Sequence, residues 1–103
     1  MIHRFDWQVP PDHPSLPGHF PDRPIAPGAV LLDRLDLFAK RVPGLEERPV
    51  RLEHAKFLHS AAPGDALTFV LEARGHGGFS FRIERDSIVL VRGMLAAGAA
   101  ARA

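Results

Sequence analysis

The 103-residue chain contains no cysteine and no tyrosine, so proton transfer near neutral pH falls to its six histidines and twelve carboxylates. Two of these stand in an unusual stretch. His19 lies in Gly18-His19-Phe20-Pro21, and Asp33 follows fourteen residues later, inside the segment that opens with Pro27-Gly28. A neutral imidazole accepts a proton at physiological pH, and a carboxylic acid kept from ionising by an apolar pocket donates one. Such a pair does general acid/base chemistry. Taken singly, neither residue compels that role: a histidine in a proline-rich loop is ordinarily a surface residue, and Asp33 shares the polar face of a helix with Asp36 and Lys40.

Other chemistries find less support. His3, His13, His54, His59 and His76 show no ligand spacing such as His-Glu-x-x-His, so no metal site is expected and they are read as structural or exposed. Without cysteine there is no thiolate nucleophile, disulfide or Cys-type metal site. Gly75 to Gly78 holds three glycines but no Gly-x-Gly-x-x-Gly opening a helix, so no dinucleotide site is expected, and no cofactor of any kind. The serines lack a nucleophile-elbow context. Net charge is +1, with thirteen basic and twelve acidic residues spread along the chain, which lacks the footprint of a nucleic-acid binder. Charged first residues argue against a signal peptide, and no apolar run approaches the ~18 residues of a membrane span. A cytoplasmic protein is the expectation.

The elements that must position His19 and Asp33 follow from the apolar pattern. Ile2 to Val9 alternates with a period of two and predicts a strand ended by Pro10-Pro11. From Pro10 to Pro27 seven prolines and no periodicity predict a loop of restricted backbone. A helix is predicted from about Gly28 to Arg41, with Leu31, Leu32, Leu35, Phe38, Ala39 and Val42 on its apolar face and Pro43-Gly44 as its stop. Strands are predicted over Val50 to Leu58, Ala66 to Ala73, Phe79 to Arg85 and Ile88 to Leu95, joined by short antiparallel connections, with a frayed tail from Ala96. A 46% hydrophobic chain of this length makes one domain over residues 1–103, an α+β layout with one long helix packed on a curved antiparallel sheet of about five strands.

The stretch from His13 to Asp33 resembles the active-site segment of the 3-hydroxyacyl-acyl-carrier-protein dehydratases of fatty acid synthesis (FabZ/FabA type), a family with the hot-dog fold. Gly18-His19-Phe20-Pro21, then Pro24, then Pro27-Gly28 opening a helix, then the acid at position 33, match in order and spacing. Ala55-Lys56-Phe57 and Ala62-Pro63-Gly64-Asp65 also resemble the family's later strand and turn. The resemblance implies that His19 takes the C2 proton, that Asp33, in its acid form, helps the C3 hydroxyl leave, and that the Gly28 N–H supports the thioester oxygen. It further implies that Phe20 and Pro27 contact substrate, that an acyl carrier protein delivers it, and that a homodimer forms the site from opposite subunits.

The sequence departs from that pattern at Leu37, where those enzymes commonly carry Gln, and in lacking the helix that often precedes their first strand, so an acyl tunnel that is shallower or differently capped is expected. A specialised dehydratase of an aryl-polyene or other secondary pathway fits this trimmed pattern at least as well. A hot-dog acyl thioesterase and a non-catalytic subunit that binds an acyl carrier stand as alternatives.

Overall fold

Along β1 (Ile2–Gln8) every second side chain turns inward: His3, Phe5 and Trp7 are half-buried while Ile2, Arg4, Asp6 and Gln8 are exposed. One wet face and one packed face produce this alternation. The structure is a computed structural model that describes residues 1–11 and 26–98. After β1 come α1 (Gly28–Ala39), β2 (Val50–Phe57), β3 (Ala66–Ala73), a 3-10 turn at Gly75–Gly77, β4 (Gly78–Arg85) and β5 (Ile88–Ala97). The five strands form one antiparallel sheet in the order β1-β3-β4-β5-β2.

α1 lies on one face of this sheet because its apolar stripe has nowhere else to go. Leu31, Leu35, Phe38 and Ala39 are buried in one cluster with Phe69, Leu71, Phe81, Ile83 and Val91 of the strands. Each such Leu or Phe contributes about 1.5–3 kcal/mol by leaving water. Phe38 stacks on Phe5 at 4.8 Å between ring centroids and meets Phe69 edge-on at 5.1 Å. Arg34 lies over Trp7 at 4.8 Å and Arg41 over Phe5 at 5.3 Å, so two guanidinium groups cover the half-buried aromatics between α1 and β1.

Three features differ from the sequence expectation. The helix ends at Ala39, not Arg41, because the Arg41 and Val42 N–H groups reach back only three residues, to Phe38 O at 2.9 Å and Ala39 O at 3.1 Å, a tightening that leads into Gly44 at φ +93°. The tail expected to fray at Ala96 instead extends β5: Ala96 pairs with Arg51 and Gly78, Ala97 pairs with Val50, and the Gly98 N–H donates to Pro49 O at 2.7 Å. Most consequential is the strand order. β2 and β3 are consecutive in sequence but have two strands, β4 and β5, between them, since β2 pairs with β5 and forms an edge of the sheet.

Two irregularities interrupt the pairing of β5 with its neighbours, one carried by β2 and one by β5 itself. Opposite β2 the register shifts between Leu52 and His54, so Glu53 is the extra residue of a bulge; opposite β4 it shifts past Ile83, leaving Leu90 unpaired there. The Leu90 carbonyl instead accepts the N–H groups of Leu58 at 2.7 Å and His59 at 3.2 Å, which extends the attachment of β2 beyond its last residue.

Candidate active site

The start of α1 is held from behind. Ala26 and Ala61 form an isolated antiparallel bridge, with the Ala26 N–H donating to Ala61 O at 2.7 Å, and both side chains are buried. Pro27, in an extended conformation at φ −59° and ψ 146°, then caps the helix without any side-chain hydrogen bond. A proline is well placed here, since its fixed φ suits a helix entry and it has no N–H to satisfy. Val30 donates the first helical bond, to Pro27 O at 3.0 Å. The Gly28 and Ala29 N–H groups therefore stand at the positive end of the helix dipole with no partner inside the helix.

The loop behind this anchor is braced by Asp65. Its carboxylate accepts the Ala62 N–H at 2.8 Å and a guanidinium N–H of Arg85 at 2.7 Å, while the same Arg85 nitrogen donates to Ser60 O at 3.1 Å. Ser60 to Asp65 is thus tied to the end of β4, and through Ala61 the bracing reaches Ala26 and the helix start. The Ala62-Pro63-Gly64-Asp65 turn, seen in sequence only as a resemblance, has here a mechanical task.

Between the helix start and the end of β2 lies a pocket of about 270 Å³, bordered by Pro27, Gly28 and Leu31 on one side and by Phe57, Leu58 and His59 on the other. Gly28 is required by the approach of Phe57: a Cβ on Gly28 would lie 2.7 Å from Cε2 and 2.9 Å from Cζ of that ring. Phe57 is 48% exposed, so its ring forms a displaceable wall and not part of the core. His59, which the sequence reading placed among the structural or exposed histidines, is exposed and borders the same pocket. Its signal was its position just past a strand that ends opposite a helix start, which only the strand order reveals.

The sequence-derived residues divide into three groups. Gly28 and Pro27 are brought together at the pocket. Asp33 lies on α1 five residues beyond Gly28, is exposed, and is not among the residues that border the pocket. Five residues of helix advance about 7.5 Å and turn through about 140°, which sets Asp33 on a different side of α1 from Gly28. His19 and Phe20 lie outside the described residues. Among the described residues no group of three or more potential metal ligands gathers, and no helix is long and apolar enough to cross a membrane.

Comparison with known proteins places these features. The family model for ApeI-like proteins, described as ApeI dehydratase, matches residues 2–93. Among solved structures, the dehydratase heterocomplex ApeI:P from Xenorhabdus doucetiae superposes with a TM-score of 0.78 at 22% identity, over 95% of this chain and 88% of that one. An uncharacterised protein from Erwinia carotovora subsp. atroseptica gives 0.73 at 28% identity, over 93% and 82%. A probable thioesterase from Bartonella henselae gives 0.62 at 18% identity, over 99% and 97%. The hot-dog fold implied by the sequence resemblance is the fold of this chain: five antiparallel strands with one helix on one face.

Proposed function

Since the chain belongs to the ApeI-like dehydratase family, we propose that it removes water from a 3-hydroxyacyl thioester carried on an acyl carrier protein, giving the trans-2-enoyl thioester. The observation that carries this reading is the helix start: a glycine whose missing side chain lets the exposed Phe57 ring close over it, N–H groups with no partner inside the helix, and a largely apolar pocket beside it. A thioester oxygen that gains enolate charge is stabilised by such N–H groups. His19 takes the proton from C2, the C2–C3 double bond forms, the C3–O bond breaks, and Asp33 gives its proton to the departing oxygen, which leaves as water. The acyl chain fits the side of the pocket formed by Leu31, Phe57 and Leu58, with Pro27 and Phe20 as further substrate contacts.

A paired assembly completes the site in this reading. Among the described residues β2 is bonded to β5 on one side only and nothing pairs with its other edge, and it bears exposed Leu52 and Phe57, with Leu58 next in sequence. An open strand edge carrying apolar side chains is a site of strand pairing. Closing it with a second copy would shield Asp33 and supply His19 from the other subunit. The reading is tested by incubating the chain with a 3-hydroxyacyl carrier substrate and following enoyl absorbance; a homodimer that yields no product overturns the homodimeric version.

A second reading has its own observation. Leu37 is 53% exposed on α1, four residues after Asp33, and the Xenorhabdus relative is a dehydratase heterocomplex. A chain that turns over only when another hot-dog subunit is added would be a partner subunit. A thioesterase would instead release free thiol from acyl-CoA without forming enoyl product.

Gly28→Ala separates site from fold. The added methyl displaces Phe57 into the pocket, while alanine gains about 0.5–1 kcal/mol of helix preference over glycine. Turnover is expected to fall about tenfold or more, as misplaced substrate requires, with the thermal midpoint unchanged or raised. Full activity in Gly28→Ala would remove the pocket from the reaction.

A further inference from the structure

We propose that the outer face of the sheet, turned away from α1, is a docking surface for a protein partner that lays an acidic helix across the strands. The register puts Arg4, Val70, Arg82, Arg92 and Lys56 in one line across β1, β3, β4, β5 and β2. Arg82, Arg92 and Lys56 are directly opposed in sequence of strands, and with His54, Arg74 and Met94 they border a groove of about 500 Å³.

Like charges opposed across strands destabilise a sheet. Only part of the groove's positive charge is neutralised by ion pairs among the described residues: Arg82 of the row pairs with Glu84, and Arg74 at the groove's border pairs with Glu72 at 3.4 Å. Among the described residues no carboxylate pairs with Arg92 or Lys56. A chain whose net charge is +1 thus concentrates uncompensated cations at one place, where they cost stability unless something anionic arrives.

Spacing selects the occupant. Neighbouring strands stand about 4.8 Å apart, so Arg82 to Lys56 covers about 10 Å and the whole line about 19 Å. A single phosphate or carboxylate is too small to meet three such cations. Carboxylates on successive turns of a helix recur about every 5.4 Å, close to the spacing of the three adjacent cations Arg82, Arg92 and Lys56. For base stacking the groove offers only the exposed His54 imidazole, since Phe81 is 3% exposed, and one small ring is a poor platform for successive bases of single-stranded nucleic acid. The pocket between α1 and β2 is on the other face, so a docked helix leaves it open.

The test uses the full chain and a fluorescein-labelled alanine-rich helical peptide with glutamates four residues apart, titrated by anisotropy at low salt. Saturable binding should weaken about tenfold or more in Lys56→Glu/Arg92→Glu, equivalent to about 1.4 kcal/mol, less in Lys56→Gln/Arg92→Gln, and by under about twofold in Arg51→Glu, whose cation is outside the groove. Equal binding of a peptide with the same glutamates bunched at one end, or an equal loss in Arg51→Glu, overturns the proposal in favour of unspecific attraction. Tighter binding of an oligo-dT strand overturns it in favour of nucleic acid, and displacement by millimolar inorganic phosphate in favour of a small-anion site. A ligand-free measurement stands beside these. Arg92→Glu converts two like-charge pairs into opposite ones and should raise Tm by about 2–5 °C; a lowered Tm overturns the premise that the row is held at a cost.

Discussion

Asp33→Asn and His19→Ala are each expected to lower dehydration about a thousandfold, within the range for loss of one positioned acid or base. Asparagine keeps the size of the exposed Asp33 side chain, so Asp33→Asn should leave the thermal midpoint within about 1 °C, as an exposed substitution of this kind does. The double variant should be scarcely worse than either single one, because residues that act as a unit do not contribute additively. The stronger form of the prediction uses the assembly. If each site takes His19 from one subunit and Asp33 from the other, equal amounts of the two inactive variants, unfolded and refolded together, form mixed pairs that each hold one intact site. Statistical mixing of a symmetric pair restores about a quarter of wild-type activity. Inactive parents with no recovery on mixing would place both groups in the same subunit. Full activity in either parent would remove that residue from the mechanism.

Gly93→Val should be the most destabilising single substitution in the sheet. Gly93 is buried in β5 opposite Phe81, and a Cβ there would overlap the carbonyl oxygen of His54 and lie 2.8 Å from Phe81 Cε2. The first of these neighbours is backbone beside the Glu53 bulge and the second is a core ring 3% exposed, so neither yields cheaply. Overpacking a core costs about 1–3 kcal/mol, and forcing apart a bonded strand pair adds to it. A loss of about 3 kcal/mol or more, or about 15 °C in Tm for a chain of this size, is expected. Gly75→Ala is the control: nothing lies within 4 Å of its would-be Cβ, and its φ is not positive. Similar melting of the two variants would mean that β5 adjusts freely at Gly93.

The elements themselves were legible because their patterning is local. Alternation from Ile2 and from Phe79, and the helical spacing of Leu31, Leu35 and Phe38, report which face is packed wherever a residue's neighbours along the chain define it. The order of the strands was not legible in the same way. Nothing between Val50 and Phe57 says that β2 pairs with β5 and not with β3, since that choice is made by residues some forty positions away. Phe57 and His59 were missed as pocket residues for this reason, and so was the bracing by Asp65 and Arg85. The bulges escaped as well, because an extra residue in one strand has no local signature when its partner is unknown. For the site, Pro27 and Gly28 stand at a helix start and border a pocket, while Asp33 is exposed and does not border that pocket in the single chain.

β2 serves two surfaces at once, with Phe57 walling the pocket and Lys56, its immediate neighbour, facing the outer groove. The Glu53 bulge sets which residue goes to which side. Insertion or deletion of one codon between that bulge and Phe57 would exchange the two, sending an ammonium toward the pocket at the helix start and a phenyl ring toward solvent. Descendants of this gene can therefore vary either surface by substitution, but any change of length in this strand alters both together.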